Sequence, residues 1–393
     1  MILDGDSMQI ILCVTGSVAA IEAVKLAREL RRHGADVKCF MSEDACRIIH
    51  PYAMEFATGS KPVLELTGEI EHVKYAGADL ILVAPATANI IGKMTYRLVD
   101  NPISSLLLTA SGMGTPIVMV PSMHEAMYAA ASENIRKLKE EGVIFIEPRM
   151  DEGKAKFPDI DTIVLEVMRQ TSRQRLRGKR VLVSLGGTYE PIDPVRGITN
   201  RSSGKMGLAI ARRAYIEGAD VTVVAGTVSV DVPPQLRSFR AETAEEMAER
   251  VRELVADHDV FISAAAVADF KPVYSERKIS SSEEFSVELR PNPKVIGIAR
   301  DINPEAFIVG FKAEYDVDDD ALVESARKQI RESGVDMVVA NDVSVEGFGS
   351  DRNRAIIVSD MVTELPVMKK DELASIIIDE VIRKVGDNLD QLL

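Results

Sequence analysis

The sequence predicts an α/β protein made of two parallel-sheet domains in series. Three observations carry that expectation. Apolar runs of strand length alternate with helix-period segments along the chain, the pattern of parallel α/β architecture. The runs are apolar at nearly every position, as when helices cover both faces of a sheet. At 393 residues the chain exceeds one ordinary core, and the alternation restarts near residue 180.

In the first part Gln9–Val14, Asp36–Met41, Leu80–Ala84, Ile117–Val120 and Val143–Ile146 read as strands. The basic, apolar-poor stretch TSRQRLRGK (171–179) reads as a linker or its helical shoulder. It divides the chain into residues 1–172, a 173–179 linker and residues 180–393. Strands follow near 181–185, 221–225, 260–264, 307–311 and 336–340. A ribbon around Ala355–Ser359 and Glu364–Pro366 precedes a closing helix. The segments ARELRRHGADVKCF (27–40) and ARRAYIEGADVTVV (211–224) echo one another. Duplication and convergence on a good helix-to-strand turn explain the echo equally well. Gly34 and Gly218 read as left-handed helix ends. Each half therefore opens strand–loop–helix–glycine–strand, the start of a Rossmann-like unit.

The formal net charge of −14 argues against nucleic-acid or anionic-membrane partners. No apolar run approaches the roughly 18–20 residues that span a bilayer. The start MILDGDSMQI is acidic and lacks the basic region of a signal peptide. Three cysteines, Cys13, Cys39 and Cys46, suit reduced thiols better than a disulfide framework. The expectation is a soluble, cytoplasmic protein.

In the first half the junction CVTGSVAAIE puts Gly16 and Ser17 where the chain enters a helix, whose free N–H groups attract phosphate. It lacks G-x-G-x-x-G, so a mononucleotide fits better than a dinucleotide, although many such turns bind nothing. Pro85, Thr87 and Asn89 read as lying just past a buried strand, where open α/β sheets bind ligands. Asp100, Asn101 and Ser104 mark another helix start, and Ser42 follows the second strand. His124 sits between Met123 and Met127 after the next strand; the methionines suit either core packing or a ligand.

GSVAA, His72 ahead of the strand ending in APATAN, Asp100–Asn101 and PSMHEAMY resemble the flavin-dependent cysteine decarboxylases, phosphopantothenoylcysteine decarboxylase among them. The resemblance covers about residues 8–150 and implies a flavodoxin-like flavoprotein fold that binds FMN. Gly16, Ser17, Ser42, Pro85, Thr87, Asn89, Asn101 and Ser104 would hold the cofactor. His72 and His124 carry over as catalytic, and Met123, Met127, Lys154 and Lys156 as substrate contacts. Two departures stand out. His124 occupies the place of a family asparagine, and MDEGKAKFPD (150–159) lacks the cysteine that many relatives carry on a flap.

The second half contains the stretch GGTYEPIDPVRGITNRSSGKMG, Gly186–Gly207, between a strand and a helix. Such junctions usually take about two to six residues. Gly186 and Gly187 allow close backbone approach, and Ser202, Ser203 and Gly204 read as starting a helix beside Lys205, a phosphate cradle that is not a Walker loop. AAAVADF (264–270), Lys278, GFKAE (310–314) and ANDV (340–343) read as segments that converge on the same sheet edge.

Together these resemble phosphopantothenate–cysteine ligase over about residues 180–345, a nucleotide-binding ligase fold. The resemblance implies activation of 4′-phosphopantothenate by CTP, then attack by cysteine. Asn200 would hold the acyl carbonyl, Arg196 the intermediate, and Lys278 would stabilise charge. Gly186, Gly187, Ser202, Ser203, Gly204 and Lys205 would cradle phosphates. Ala265, Ala266 and Asp269 would read cytosine, with Phe311, Lys312 and Asn341 lining the pocket. Mg2+ would ride on the triphosphate, its protein ligands unassigned. A homo-oligomer is implied, a dodecamer combining trimeric decarboxylase and dimeric ligase contacts. The alternative is an active ligase whose first half is regulatory or acts on another cysteinyl substrate.

Overall fold

Strand residues that are apolar at consecutive positions must find cover on both faces, and in each half they do. The computed structural model describes residues 7–151, 154–280, 284–344 and 349–385. The chain divides into two compact units, Met1–Ser172 and Arg173–Leu393.

In the first unit five parallel strands stand in the order Asp36–Met41, Gln9–Val14, Leu80–Ala86, Ile117–Pro121, Ile144–Phe145. That is the flavodoxin-like order, whose direction reverses between Gln9–Val14 and Leu80–Ala86. Ile10, Leu12 and Val14 enter one core, while Ile11 and Cys13 enter the core on the opposite face. Burying each such aliphatic side chain is worth about 1.5–3 kcal/mol. The third strand runs two residues further than its apolar pattern suggests. Proline cannot donate to a ladder, and the pairing accordingly skips from Val83 to Ala86.

The second unit has eight strands, in the order Arg237–Arg240, Asp220–Ala225, Arg180–Leu185, Val260–Ser263, Phe307–Glu314, Met337–Asp342, Arg352–Val358, Val362–Lys369. The first six are parallel, and the last two form the antiparallel ribbon, longer than its apolar centre. The direction reverses between Arg180–Leu185 and Val260–Ser263. GFKAE and the Ala-Asn-Asp of ANDV are inside strands, not beyond them.

Gly34 and Gly218 have φ of +90° and +94°, each directly after a helix as its position suggests. The expected linker is not free chain. Leu176 is fully buried in the second core, its N–H donates to the Glu217 carbonyl at 2.7 Å, and the Arg175 guanidinium bonds both Glu217 and Asp379.

Candidate functional site

In each unit the polar residues gather where the strand order reverses. At the first reversal Thr15 Oγ1 donates to the Pro85 carbonyl at 2.7 Å and accepts from Thr87 N–H at 3.2 Å. Ser17 Oγ bonds Ser122 Oγ at 3.3 Å. A Cβ on Gly16 would come within 2.4 Å of the Asp44 Cβ, so the turn needs glycine. Pro85 lies inside the buried strand rather than past it, and Asn89 is exposed on the following helix.

Several residues expected to hold a cofactor turn out to cap helices. Ser42 accepts from Ala45 N–H at 3.2 Å, and Thr87 from Ile90 N–H at 3.5 Å. Asn101 Oδ1 accepts from Ile103 and Ser104 N–H at 3.0 Å each, while Ser104 Oγ accepts from Asn101 N–H at 3.2 Å, a complete capping box. Asn101 Nδ2 donates to Asp100, which pairs with Lys93 at 2.8 Å. Short polar side chains suit helix starts and ligand contacts alike, so spacing alone cannot separate the two.

His72 lies on a short helix, Glu71–Lys74, and its Nδ1 is buried with no hydrogen-bond partner among the described residues. Its setting is built by Glu71, whose carboxylate accepts Thr67 N–H at 2.9 Å and Thr67 Oγ–H at 2.5 Å. These bonds hold the Glu71 carboxyl below the ordinary glutamate range. An orphaned buried imidazole nitrogen next to that braced turn is a group awaiting a partner.

His124 is exposed and caps the Glu125–Ala130 helix, Nδ1 accepting from Ala126 N–H at 3.2 Å. That bond leaves Nε2 as the protonated nitrogen of a neutral ring. Met123 packs partly buried against the core, whereas Met127 is 52% exposed and is not a core residue. Arg149–Asp151 and Lys154–Lys156 form an antiparallel ribbon, which pairs His124 with Lys154. The Lys154 side chain lies outside the described residues; Lys156 is partly buried.

At the second reversal opens a cavity of about 1140 Å³. It brings together Asn200, Ser202, Ser203, Gly204 and Lys205 from the long junction, and Ala265, Ala266 and Asp269 from the segment after Val260–Ser263. Phe311, Lys312 and Asn341 close it. Asn200 Nδ2 donates one hydrogen to the Ala266 carbonyl at 3.1 Å, which leaves one N–H of its amide. Sequence reasoning missed Arg201, Lys294, Lys328, Arg352 and Lys370, which with Lys205 and Lys312 outnumber the lining carboxylates Asp269, Glu314 and Glu332 and leave it net basic in a chain of net charge −14. Only their assembly in space reveals them, because they sit in five separate segments.

Several expectations need correction here. The helix starts at Lys205 with Gly204 in the cap position at φ +78°; Ser203 Oγ accepts the Lys205 N–H at 3.4 Å, so one of the two serines serves the helix start from one residue further back. Lys205 is paired with Asp351 at 2.6 Å, and Asp269 with Lys294. Gly186 and Gly187 do not line the cavity. Their close approach is to the chain itself: a Cβ on Gly186 would stand 2.6 Å from the Thr227 carbonyl, and one on Gly187 2.9 Å from that of Asn200.

Arg196 and Lys278 also lie outside the cavity lining. The junction folds into a hairpin, Tyr189–Pro191 against Gly197–Thr199, and Asn200 follows its second strand. In its turn the fully buried Asp193 side chain accepts from Val195, Arg196 and Ile279 N–H at 2.8, 2.9 and 3.0 Å. Those bonds, that from Ile279 foremost, hold its carboxyl below the ordinary aspartate range. Arg196 pairs with Asp193 at 3.3 Å and donates to the Ile279 carbonyl. Lys278 is exposed, one residue before that anchor.

Among the described residues no group of three or more His, Cys, Asp or Glu is disposed to hold a metal, and no helix is long and apolar enough to cross a membrane.

Residues 4–172 match the Flavoprotein family model, and residues 176–385 match the DNA/pantothenate metabolism flavoprotein C-terminal domain. The coenzyme A biosynthesis bifunctional protein CoaBC of Thermococcus kodakarensis is 48% identical over 384 residues, covering 95% of this chain and 94% of the relative. That of Escherichia coli (strain K12) is 33% identical over 405 residues, covering 96% and 98%. A crystal structure of the DNA/pantothenate metabolism flavoprotein from Streptococcus pneumoniae overlays 53% of this chain and 100% of its own at 28% identity, with a TM-score of 0.48. The chain belongs to the CoaBC family of bifunctional coenzyme A biosynthesis proteins, which couples a flavoprotein decarboxylase half to a ligase half.

Proposed function

We propose that the ligase half joins 4′-phosphopantothenate to cysteine at the expense of CTP, and that the decarboxylase half, with FMN, converts the product to 4′-phosphopantetheine. The observation that carries this reading is the basic cavity at the second reversal, which gathers Asn200, the helix start at Lys205 and six further cations.

In the ligase half the substrate carboxylate attacks the α-phosphorus of CTP, and pyrophosphate leaves. The cysteine amine then attacks the acyl carbon, loses a proton and expels CMP. The remaining Asn200 N–H is free to hold the acyl carbonyl as charge gathers on it, an oxyanion-type contact. Lys205 would exchange Asp351 for phosphate, while the free N–H groups of its helix face anionic oxygen. Asp269 beside Ala265 and Ala266 offers an acceptor for the cytosine amino group. Mg2+ would be carried by the triphosphate, which needs more positive charge than the lysines supply. Lys278, exposed and outside its own chain's cavity, suits a site completed by a second copy, in keeping with the homo-oligomer the family resemblance implies.

In the decarboxylase half the hydroxyl-lined turn of Thr15, Gly16, Ser17 and Thr87 and the orphaned His72 nitrogen suit a phosphate-bearing flavin and its substrate. FMN, when bound, takes up and returns the electrons of cysteinyl oxidation. His72 would exchange a proton with the cysteinyl end. His124, its Nδ1 taken by the Ala126 N–H, would offer Nε2–H to the substrate carboxylate.

The test is mass detection of 4′-phosphopantetheine from phosphopantothenate, cysteine, CTP and magnesium, with ATP as the comparison nucleotide. Accumulated phosphopantothenoylcysteine would mean the first half does not decarboxylate it. Equal rates with ATP would remove the CTP assignment.

A further inference from the structure

Two segments that the ligase chemistry draws on, the Asn200 hairpin and the Lys278 loop, are far apart in sequence. They are joined at one turn. At one end of the loop Ser275 N–H donates to the Ile192 carbonyl at 2.8 Å. At the other, Ile279 is held from both sides: Asp193 Oδ2 accepts its N–H at 3.0 Å and the Arg196 guanidinium donates to its carbonyl. Asp193 is 1% exposed and takes three backbone donors besides its ion pair, far more than closing a five-residue turn requires. A buried carboxylate so fully satisfied is rigid. Any displacement of the turn is shared by Asn200 and Lys278 alike.

We propose that Asp193 is a positioning residue for acyl activation, acting through Lys278 by buckling the 275–279 loop to the hairpin that carries Asn200. On this account Arg196 serves the buckle as well as any contact it makes with substrate. The proposal rests on the reading that Lys278 takes part in activation, and the experiment separates the two.

The test is a double-mutant cycle on the full chain, with Asp193→Asn, Lys278→Gln and the double variant. Pyrophosphate release from CTP and phosphopantothenate without cysteine is the readout. Asp193→Asn should lower the rate of this single-turnover release up to about 10²-fold, the scale of an ångström-sized misplacement. In the Lys278→Gln background it should cost less than about twofold, because the residue it positions is gone. Decarboxylation of supplied phosphopantothenoylcysteine should be unchanged. Losses that multiply independently would overturn the proposal and leave Asp193 a fold-stabilising residue only, as would a fully active Asp193→Asn. A fully active Lys278→Gln would instead overturn the role of Lys278. Should Asp193→Asn not fold, Arg196→Lys, which removes the planar fork on the Ile279 carbonyl and leaves the backbone bonds to Asp193, enters the same cycle with the same two outcomes.

Discussion

His72 and Asn200 each present an unused hydrogen-bonding capacity, and each assignment can be tested alone. Replacing His72 with Asn should leave ligation intact and slow decarboxylation by about 10²–10⁴-fold, the usual worth of a general acid–base group. The bound flavin's absorbance should persist, and its loss would assign His72 to cofactor binding instead. Asn200→Asp places a carboxylate where an acyl oxygen gathers negative charge. The acyl nucleotide should then form and stall, visible as CMP-linked product that cysteine does not discharge. The backbone carbonyl partner of Asn200 was not legible in the sequence, because it is 66 residues away. The capping roles of Ser42, Thr87, Asn101 and Ser104 were masked for the opposite reason. Their partners are local, and a cap and a ligand contact draw on the same residue types.

At the scale of elements, most strands were readable because buried parallel strands are apolar throughout. What was not readable has a common cause. The strand pairs Tyr189–Pro191/Gly197–Thr199 and Phe270–Pro272/Leu289–Pro291 are three residues long on each side and partly exposed, too short for an apolar period. The edge strand Arg237–Arg240 carries a single apolar residue, Phe239, too little for an apolar run. The Gly186–Gly187 pair shows the same ambiguity at a turn, since glycine admits a ligand or another stretch of backbone alike. Here it is backbone. Gly186→Ala should therefore destabilise the ligase half by about 1–3 kcal/mol, from its φ of +85° and the Thr227 carbonyl. Chemical denaturation followed in the ligase half checks this, with the flavin transition unmoved.

At the scale of the molecule, two compact units with separate cores argue against one all-or-none unfolding transition. The charged knot of the second unit permits a sharper expectation. Burial acts to raise the Glu217 carboxyl, but the bonds from Arg175 and the charges of Arg213 and Arg175 prevail, and it lies below the ordinary glutamate range. Its contribution is therefore full above the unfolded-state value and disappears as the pH falls through the depressed folded one. Glu217→Gln should cost about 1.5–3 kcal/mol at neutral pH, the worth of hydrogen bonds to a charged group, because the arginines left behind are partly exposed, and it should flatten the acid limb of ligase-half stability. A variant retaining the wild-type acid limb would assign that limb to other carboxylates.

The same knot determines where this polypeptide tolerates being cut in two. Leu176 fills the second core, and Arg175 closes the knot on Glu217 and Asp379, so both belong to the ligase. A gene split immediately before Arg173 should yield a ligase that is soluble by itself. A split before Arg180 would leave a hole the size of a leucine and strip Glu217 of its Arg175 bonds, with Arg213 remaining, and its product should aggregate on expression. The seam between the two enzymes thus lies several residues earlier than the first ligase strand, inside what composition alone marks as a tether.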